Sequence, residues 1–355
     1  MPLAITLVGM QARTQRFLAC RSLDQLAFVL RRAPTMLASL AEHPQYREFY
    51  VPKKNGDKRL IEDPQPPLKK PLRKLNDFLQ AVYFFHRTES AYGFLTNPVD
   101  DPQPRHILSN ARVHLGCTWL LNMDMQDFFH TISEERVLEI FEAPLFNFPR
   151  DVAAVLAGLC CYKGRLPMGA PTSPILSNLA SIPLDQDLQH YAKERGWAYT
   201  RYADDMSFSG HSPIEAIHVE EISAIVQQYD YRINPAKTRI FAPGGAPKEV
   251  TGLLIENQDV ALTAEYYTQL QAAIEHLSLV VDAKYSTSAG QVHFTPWLNE
   301  LQQQVQGKLA FAGHILGPEA PQYLELERNF ELALQPPEYF GPLTWLEFGY
   351  EHLKF

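Results

Sequence analysis

The chain has 355 residues, enough for two or three domains and a large buried core. Hydrophobic residues make up 46% and charged residues 20%, which is ordinary globular composition. The formal net charge of −8, taken over the whole chain, argues against a nucleic-acid binder. No uninterrupted apolar run approaches a membrane span, and no basic segment of a secretory signal precedes the first apolar residues. We therefore expect no membrane association.

The cysteines show no metal-binding or redox spacing. Cys20, Cys117, Cys160 and Cys161 form no C-x-x-C pair, and the last two lie within an apolar run. Reduced, buried thiols are typical of proteins that work in a reducing compartment. We expect a cytoplasmic location.

Charge is distributed unevenly along the chain. Eight basic residues and three acids lie between Tyr50 and Leu75, whereas seven Glu and two basic residues lie between Ile315 and Phe355. The early basic segment is suited to holding phosphates. We expect the acidic tail to pack internally or to meet a protein partner.

The first half of the chain alternates helical and extended patterns. Apolar residues at helix spacing predict helices within residues 1–48. A hairpin turning at Asn55-Gly56 and an amphipathic helix over 69–86 follow. A buried strand over 119–124 ends on an acid, and Ser133 is suited to cap the next helix. Ser173-Pro174 opens a further helix that is predicted to run to Gly196.

The second half begins with a strong hairpin pattern, in which residues 198–202 and 206–209 alternate apolar and polar side chains. A helix is predicted from Ser212-Pro213 to about Tyr229, and a short hairpin over 250–258. Two more helices are predicted at roughly 263–282 and 295–315. This order indicates an α+β core followed by a helical module.

Three carboxylates define the candidate chemistry. Asp204 and Asp205 lie at the turn of the strong hairpin, although Asp-rich turns are commonly just solvated. Asp124 closes the buried strand, where a strand-terminal cap is an equally good interpretation. Brought together, three carboxylates bind hard divalent cations and support in-line phosphoryl transfer.

A Pro- and Gly-rich loop over 166–174 precedes the helix that opens at Ser173-Pro174. Such a loop suits a place where a nucleotide base or backbone must approach closely. As a lone string, it is more typical of a structural loop.

Six strings in this order resemble reverse transcriptases, the right-hand polymerases that copy RNA into DNA. They are Phe49 to Ile61, Asp124 with Phe128-Phe129, Leu166 to Pro174, Tyr202 to Asp205, Asn234 to Thr238, and Val250 to Leu253. The resemblance covers about residues 45–260 and implies an α+β right-hand polymerase fold. It implies a helical extension (1–48), fingers (49–118 with part of 140–175), a palm with the catalytic hairpin (119–262), and a thumb with an RNA-binding or partner region (263–355).

The resemblance also implies roles for individual residues. Asp124, Asp204 and Asp205, with the backbone carbonyl of Met125, would hold two Mg²⁺ ions, with Mn²⁺ as an alternative. Lys53 and Arg59 would bind the triphosphate of an incoming dNTP, because guanidinium geometry suits phosphate oxygens. Further dNTP contacts would come from Phe129, Met168 and Gly169.

Three further roles follow from the same resemblance. Phe129 would collide with a ribose 2′-OH and so favour deoxynucleotides. Lys237 would protonate the departing pyrophosphate, although a solvated lysine is an equally good interpretation. Tyr202 would pack beside the primer end. Met168 stands where the family most often has Gln; because Met can only pack, we expect unusual fidelity or processivity.

Two strings resemble signatures of the retron reverse transcriptases. Asn110 to His114 is similar to their Asn-Ala-x-x-His, and Val250-Thr251-Gly252 to their Val-Thr-Gly. Ser90 to Phe94 resembles the family's Ala-His-Gly-Phe, with Tyr92 in place of His. We predict primer or template contacts for Asn110, His114, Val250, Thr251 and Gly252; for His114, a satisfied core histidine is the alternative.

The retron resemblance implies a specific substrate and partners. Such an enzyme binds its own structured noncoding RNA, primes from the 2′-OH of an internal guanosine, and makes a branched RNA–DNA hybrid called msDNA. It works with an effector protein in defence against phage. Three alternatives stay open: a bacterial defence reverse transcriptase outside the retrons, a catalytically idle RNA-binding scaffold, and a metal-dependent nuclease with no dNTP requirement.

Overall fold

The computed structural model describes residues 5–52, 56–255, 258–286 and 295–335. The chain divides into two compact units, Met1–Thr251 and Gly252–Phe355. The first unit combines helices with antiparallel sheets, and the described part of the second is mostly helical. The predicted α+β class is therefore confirmed.

Three short helices begin the first unit: α1 Leu7–Leu18, α2 Leu23–Leu30 and α3 Pro34–Glu42. The side chains of Thr6 and Ser22 cap the first two by accepting backbone N–H groups. Phe17 and Leu37 are fully buried in the core of this unit. Within the described residues, the helical prediction for 1–48 is correct except at its end, because β1 already begins at Tyr46.

A hairpin and a long helix follow. β1 Tyr46–Pro52 pairs antiparallel with β2 Lys58–Pro64, and α4 runs over Pro66–Phe84. Helix α4 begins three residues before its predicted start at 69. Proline in the first turn is pre-set for a helix and needs no N–H partner, so Pro66 marks the start. A short helix, α5, spans Ile107–Arg112.

The central sheet places the acids. It consists of β3 Trp119–Asp124, β4 Ala198–Tyr202, β5 Asp205–Gly210 and β6 Arg239–Phe241, in the order β4-β5-β3-β6. All its pairings are antiparallel, and Asp124 lies directly opposite Asp205. The predicted strand over 119–124 and the predicted hairpin are both confirmed. The register therefore brings the acid of one strand to the acids of the next hairpin.

The first unit contains five more helices: α6 Glu134–Glu142, α7 Arg150–Cys160, α8 Ser173–Ala180, α9 Ile182–Glu194 and α10 Ala216–Gln228. Ser133 caps α6 as predicted. The single helix predicted over 173–196 is wrong, because the chain breaks at Ser181 and restarts ahead of Pro183. Helix α10 begins later than predicted, since Glu215 and His218 form its capping box.

The described part of the second unit contains a small hairpin and three helices. β8 Leu253–Ile255 pairs antiparallel with β9 Val260–Leu262, while the short strand β7 Glu249–Val250 ends the first unit. The helices are α11 Ala264–Ser286, α12 Thr295–Leu316 and α13 Pro321–Ala333. The first two match the prediction and α13 was not predicted. The domain boundary expected at 262 stays a prediction; the compact units divide at 251.

Two further expectations concern the whole chain. All four cysteines are free thiols, and Cys20, Cys160 and Cys161 are buried as expected. Within the described ranges, no helix is both long and apolar enough to cross a bilayer.

Candidate active site

The hairpin of β4 and β5 closes in a tight two-residue turn. Tyr202 pairs with Asp205, which leaves Ala203 and Asp204 as the turn. Ala203 has a φ of 61°, a strained value for a residue with a side chain. A Cβ on Gly93 would lie 2.5 Å from the Ala203 nitrogen, so the glycine permits a second chain segment to pack against the turn.

That second segment is the string Ser90 to Phe94. The Arg201 amide donates to the Ser90 carbonyl at 2.7 Å, and the Tyr92 amide donates to the Arg201 carbonyl at 2.8 Å. Asn178 donates from its side-chain amide to the Gly93 carbonyl at 2.9 Å. These hydrogen bonds hold residues 90–93 against strand β4 and thereby support the strained turn.

Three carboxylates converge at this turn. Asp124, Asp204 and Asp205 each offer an oxygen, and these oxygens lie within 4.8 Å of one another. Asp124 is 4% exposed, whereas Asp205 is open to solvent. The Met125 amide donates to the Asp204 carbonyl at 3.0 Å, which ties β3 to the turn. The hard oxygen donors and their spacing fit a divalent cation.

The electrostatics show crowding of negative charge. Burial raises the pKa of Asp204, and the charge of Asp124 raises it further, while Lys237 and Arg59 oppose the shift. Although Asp205 faces solvent on one side, partial burial and the charges of Asp204 and Asp124 raise its pKa to about 7. Like charges held this close favour a bound proton or a bound cation.

Lys237 is the nearest positive charge. Its Nζ lies 2.7 Å from Oδ2 of Asp124. Asn234 fixes the preceding backbone, because its amide donates to the Asp124 carbonyl at 2.8 Å and its side chain accepts from the Ala236 amide. Asn234 and Lys237 both precede β6. The backbone fixed by Asn234 brings the lysine side chain to the acids. The structure therefore pairs Lys237 with Asp124, and solvent is not its only neighbour.

The Pro- and Gly-rich loop over 166–174 is anchored by a buried acid that the sequence did not single out. Glu62 is fully buried and accepts two bonds from the Arg165 guanidinium, at 2.9 and 3.0 Å. It also accepts from the Met168 amide at 3.1 Å and contacts His130. Gly169 has a φ of 136°, and a Cβ there would lie 2.7 Å from the Glu62 carbonyl oxygen. The loop can adopt this path only with glycine.

An aromatic cluster holds Phe129. Its ring centroid lies 5.8 Å from that of Phe94 and 5.6 Å from that of Phe128. Phe128 in turn packs against Tyr231. Arg59 lies exposed on β2, paired with Val51, and is near enough for its charge to act on Asp204. Lys53 lies outside the described residues.

The retron-like strings lie in different environments. His114 is fully buried, with its two ring nitrogens 2.7 Å from the hydroxyls of Ser209 and Thr200. Burial lowers the pKa of His114 to about 3, so the ring is neutral. Asn110 is 1% exposed, and its amide has no hydrogen-bond partner among the described residues. Neither side chain is presented to a primer or template here, which favours the core interpretation of His114.

The third string forms a turn. Val250 is fully buried, and Thr251 and Gly252 have φ values of 50° and 80°. The Glu249 carbonyl accepts from the Asn122 side chain at 2.6 Å, which ties β7 to β3. Contacts of this turn with primer or template stay a prediction. The aromatic and acidic residues of the tail beyond residue 335 lie outside the described residues.

A buried ion pair beneath the hairpin also escaped sequence reasoning. Arg201 and Asp185 are fully buried and form two bonds of 2.7 Å. Arg201 also donates to the Ala203 carbonyl at 3.1 Å and to the Asn178 side chain at 3.0 Å. The one available signal was an arginine at an inward position of an apolar strand, but its partner lies on a helix that no local pattern identifies.

The chain belongs to the reverse transcriptase family, the RNA-dependent DNA polymerases, whose model matches residues 51–294. Within this family it is a retron-type enzyme. It is 35% identical over 240 residues to the retron Ec86 reverse transcriptase of Escherichia coli, covering 66% of this chain and 70% of that one. Family membership confirms the predicted right-hand polymerase fold and an RNA-directed DNA polymerase activity.

Other relatives are matched over less of their length. The retron Mx65 reverse transcriptase of Myxococcus xanthus is 32% identical over 280 residues, covering 73% of this chain and 62% of that one. Among solved structures, a telomerase from Candida albicans aligns with a TM-score of 0.45 and 11% identity, over 84% of this chain and 61% of that chain.

Proposed function

We propose that this chain copies part of a cognate structured noncoding RNA into DNA, primes from the 2′-OH of an internal guanosine, and yields branched msDNA in an anti-phage retron system. The observation that carries the polymerase chemistry is the convergence of Asp124, Asp204 and Asp205 within 4.8 Å. The similarity to retron enzymes supports the choice of template.

Reverse transcriptases use divalent metals, and the three carboxylates fit them. We propose that Asp124, Asp204 and Asp205, with the Met125 carbonyl, hold two Mg²⁺ ions, with Mn²⁺ as an alternative. When bound, such ions lower the pKa of the attacking hydroxyl and neutralise charge on the phosphate groups. The crowding that raises the pKa of Asp205 supports cation binding at this position.

The remaining residues position the substrates. A hydroxyl of the primer loses its proton to solvent and forms a bond to the α-phosphorus of the dNTP, and the bond between that phosphorus and pyrophosphate breaks. Arg59 and Lys53 bind the triphosphate, Met168 and Gly169 contact the nucleotide, and Phe129 excludes a ribose 2′-OH. Lys237 protonates the departing pyrophosphate, and Tyr202 packs beside the primer end.

The first test removes the two hairpin charges. We expect Asp204→Asn combined with Asp205→Asn to abolish dNTP incorporation on a poly(rA)/oligo(dT) substrate, because the cation loses two ligands. Glu194→Gln, an exposed carboxylate on α9, is the matched control and should retain activity. Unchanged DNA synthesis in the double variant would contradict the mechanism. If the wild-type protein cleaved nucleic acid in the absence of dNTPs, the nuclease alternative would be supported instead.

The second test identifies the product. Nucleic acid extracted from cells that express the chain with its neighbouring noncoding RNA should contain a branched species, which debranching enzyme resolves into RNA and DNA. A linear DNA product would instead support the alternative of a defence reverse transcriptase outside the retrons.

The partners are proposals as well. They comprise the cognate RNA and its msDNA product, dNTPs, and an effector protein, with residues 263–355 acting as the thumb and partner region. The cytoplasmic location belongs to the same proposal. Deletion of residues 336–355 tests the protein contact: effector association that survives the deletion would count against a tail-mediated contact.

A further inference from the structure

A basic cleft lies between α1 and α4, and it shares no residue with the acid cluster. Its volume is about 540 Å³. Five cations and one acid line it: Arg13, Arg16, Lys70, Arg73, Lys74 and Asp77. In a chain whose net charge is −8, this local excess of positive charge marks a surface suited to anions.

The five cations are not neutralised within the fold. None of them forms an ion pair within 4.0 Å anywhere in the part of the chain that the structure describes. By contrast, Lys69 on the same helix lies 2.5 Å from Asp63. Burial lowers the pKa of Lys74, and the charges of Arg31 and Arg16 lower it further, with Asp77 opposing. An anion in the cleft would relieve this repulsion.

An exposed aromatic ring contacts Arg16, one of the cations that line the cleft. Phe28 on α2 is 73% exposed, and the Arg16 guanidinium lies 5.5 Å from its ring centroid. Exposed aromatic rings interleaved with cations are the arrangement that holds single nucleic-acid strands, because bases stack on the ring while cations contact phosphates. Cations spread along two helices suit successive phosphates of a strand better than one small anion.

We propose that this cleft binds the phosphate backbone of a single nucleic-acid strand, with a base stacked on Phe28. The proposal rests on the proposed function, since it places a second contact for the nucleic acid that the enzyme copies or makes. It assigns α1 and α4 a role in holding substrate that the catalytic residues do not supply.

The test measures how binding depends on salt. We use a fluorescein-labelled uridine 20-mer RNA and the full chain, and follow fluorescence anisotropy across a potassium chloride series. For single strands, log K falls as log[salt] rises, and each lost phosphate contact makes this negative slope shallower by about 0.7. Arg16→Gln with Arg73→Gln should therefore reduce the magnitude of the slope by about 1.4. Phe28→Ala should weaken binding about five-fold or more, the equivalent of one lost stacking contact, without changing the slope.

The matched control removes the same charge elsewhere. Arg150→Gln with Lys193→Gln takes two exposed cations from other helices and should leave the slope unchanged. A second series with a deoxyuridine 20-mer identifies the bound strand. A larger loss of affinity for the RNA probe indicates that the cleft binds the template, and a larger loss for the DNA probe indicates that it binds the product. An unchanged slope for Arg16→Gln with Arg73→Gln on both probes would overturn the proposal.

Primer extension separates this proposal from the proposed function. Since the acid cluster is intact, the cleft variants should raise the KM for poly(rA)/oligo(dT), whereas the control Arg150→Gln with Lys193→Gln should leave it unchanged. If the wild-type chain could not extend a primer, the proposed function would be refuted. The anisotropy series would still test whether the cleft binds a nucleic-acid strand.

Discussion

Lys237 is paired with Asp124 and lies near the charges of Asp204 and Asp205, and these charges decide its protonation. Burial alone would lower its pKa, but the hydrogen bond and charge of Asp124 and the charges of Asp204 and Asp205 raise it above the usual value. The ammonium is thus protonated at neutral pH, which a proton donor requires. Its pairing with Asp124 also makes it a counter-ion in the metal-free protein.

Replacement of this lysine distinguishes the two roles. We expect Lys237→Met to lower kcat by about 10²-fold, because the departing pyrophosphate loses its proton donor, while the KM for dNTP changes little. Single-turnover incorporation across a pH series measures the effect. An unchanged kcat, with half-maximal activity at a lower Mg²⁺ concentration, would show that Lys237 is only the counter-ion of Asp124.

Asp205 makes the stability of the metal-free protein depend on pH. Its pKa is about 7 in the folded protein against a usual 3.8, so the folded state binds its proton more tightly than the unfolded state. Stability should therefore fall as pH rises from about 4 through 7. We expect Tm in EDTA to decline over this window, and Asp205→Asn to decline less.

Added Mg²⁺ provides the control for this prediction. The ion should raise the Tm of the wild type at pH 7.5 and have little effect on Asp204→Asn with Asp205→Asn. Parallel Tm profiles for the wild type and Asp205→Asn in EDTA would contradict the like-charge explanation.

Helix α9 and strand β4 are joined by the ion pair of Asp185 and Arg201. We expect Asp185→Asn to lower the free energy of unfolding by about 3–5 kcal/mol, because it leaves a buried guanidinium without its counter-charge. Urea denaturation at pH 7 measures the loss. The exposed pair of Lys193 with Glu89 involves the same helix, so Lys193→Ala is the matched control and should cost under about 1 kcal/mol.

A further combination checks that charge is the cause. Asp185→Leu with Arg201→Met should lose less stability than Asp185→Asn alone, since no charge stays buried and unpaired. Equal losses would mean that the hydrogen bonds to Thr88 and Tyr199, and not the charge, hold α9 in place.

Elements with a strictly local pattern could be predicted from the sequence. The strand over 119–124 and the hairpin over 198–209 were found because alternation and turn residues act between near neighbours. The helix over 173–196 was wrong because the prediction followed the apolar pattern and passed over Pro183, which cannot continue a helix from the preceding turn. Helix boundaries depended on caps that only the folded geometry completes.

Because the chain divides into two compact units, we expect the first unit to fold without the second. We expect residues 1–251, expressed alone, to unfold cooperatively, because the acid cluster and the core around Phe17 and Phe208 lie wholly within this unit. We expect this fragment to add single nucleotides but to extend primers over shorter lengths, since the proposed thumb is absent. Urea denaturation and gel-resolved primer extension measure both properties, with the full chain as control.

A fragment that shows no cooperative transition would mean that the second unit is needed for folding of the first. Full-length products from the fragment would argue against a thumb role for residues 263–355.

The sequence by itself determined the chemistry of this protein. Adjacent acids in a hairpin, an acid at a strand end, and a glycine-rich loop are local features whose order along the chain identifies a reverse transcriptase. Tertiary structure decided which groups meet. It pairs Lys237 with Asp124 and Arg201 with Asp185, places Glu62 against the loop over 166–174, and brings the cations of α1 close to those of α4. The physical reason is distance along the chain, since burial and charge pairing act between residues that no local pattern connects.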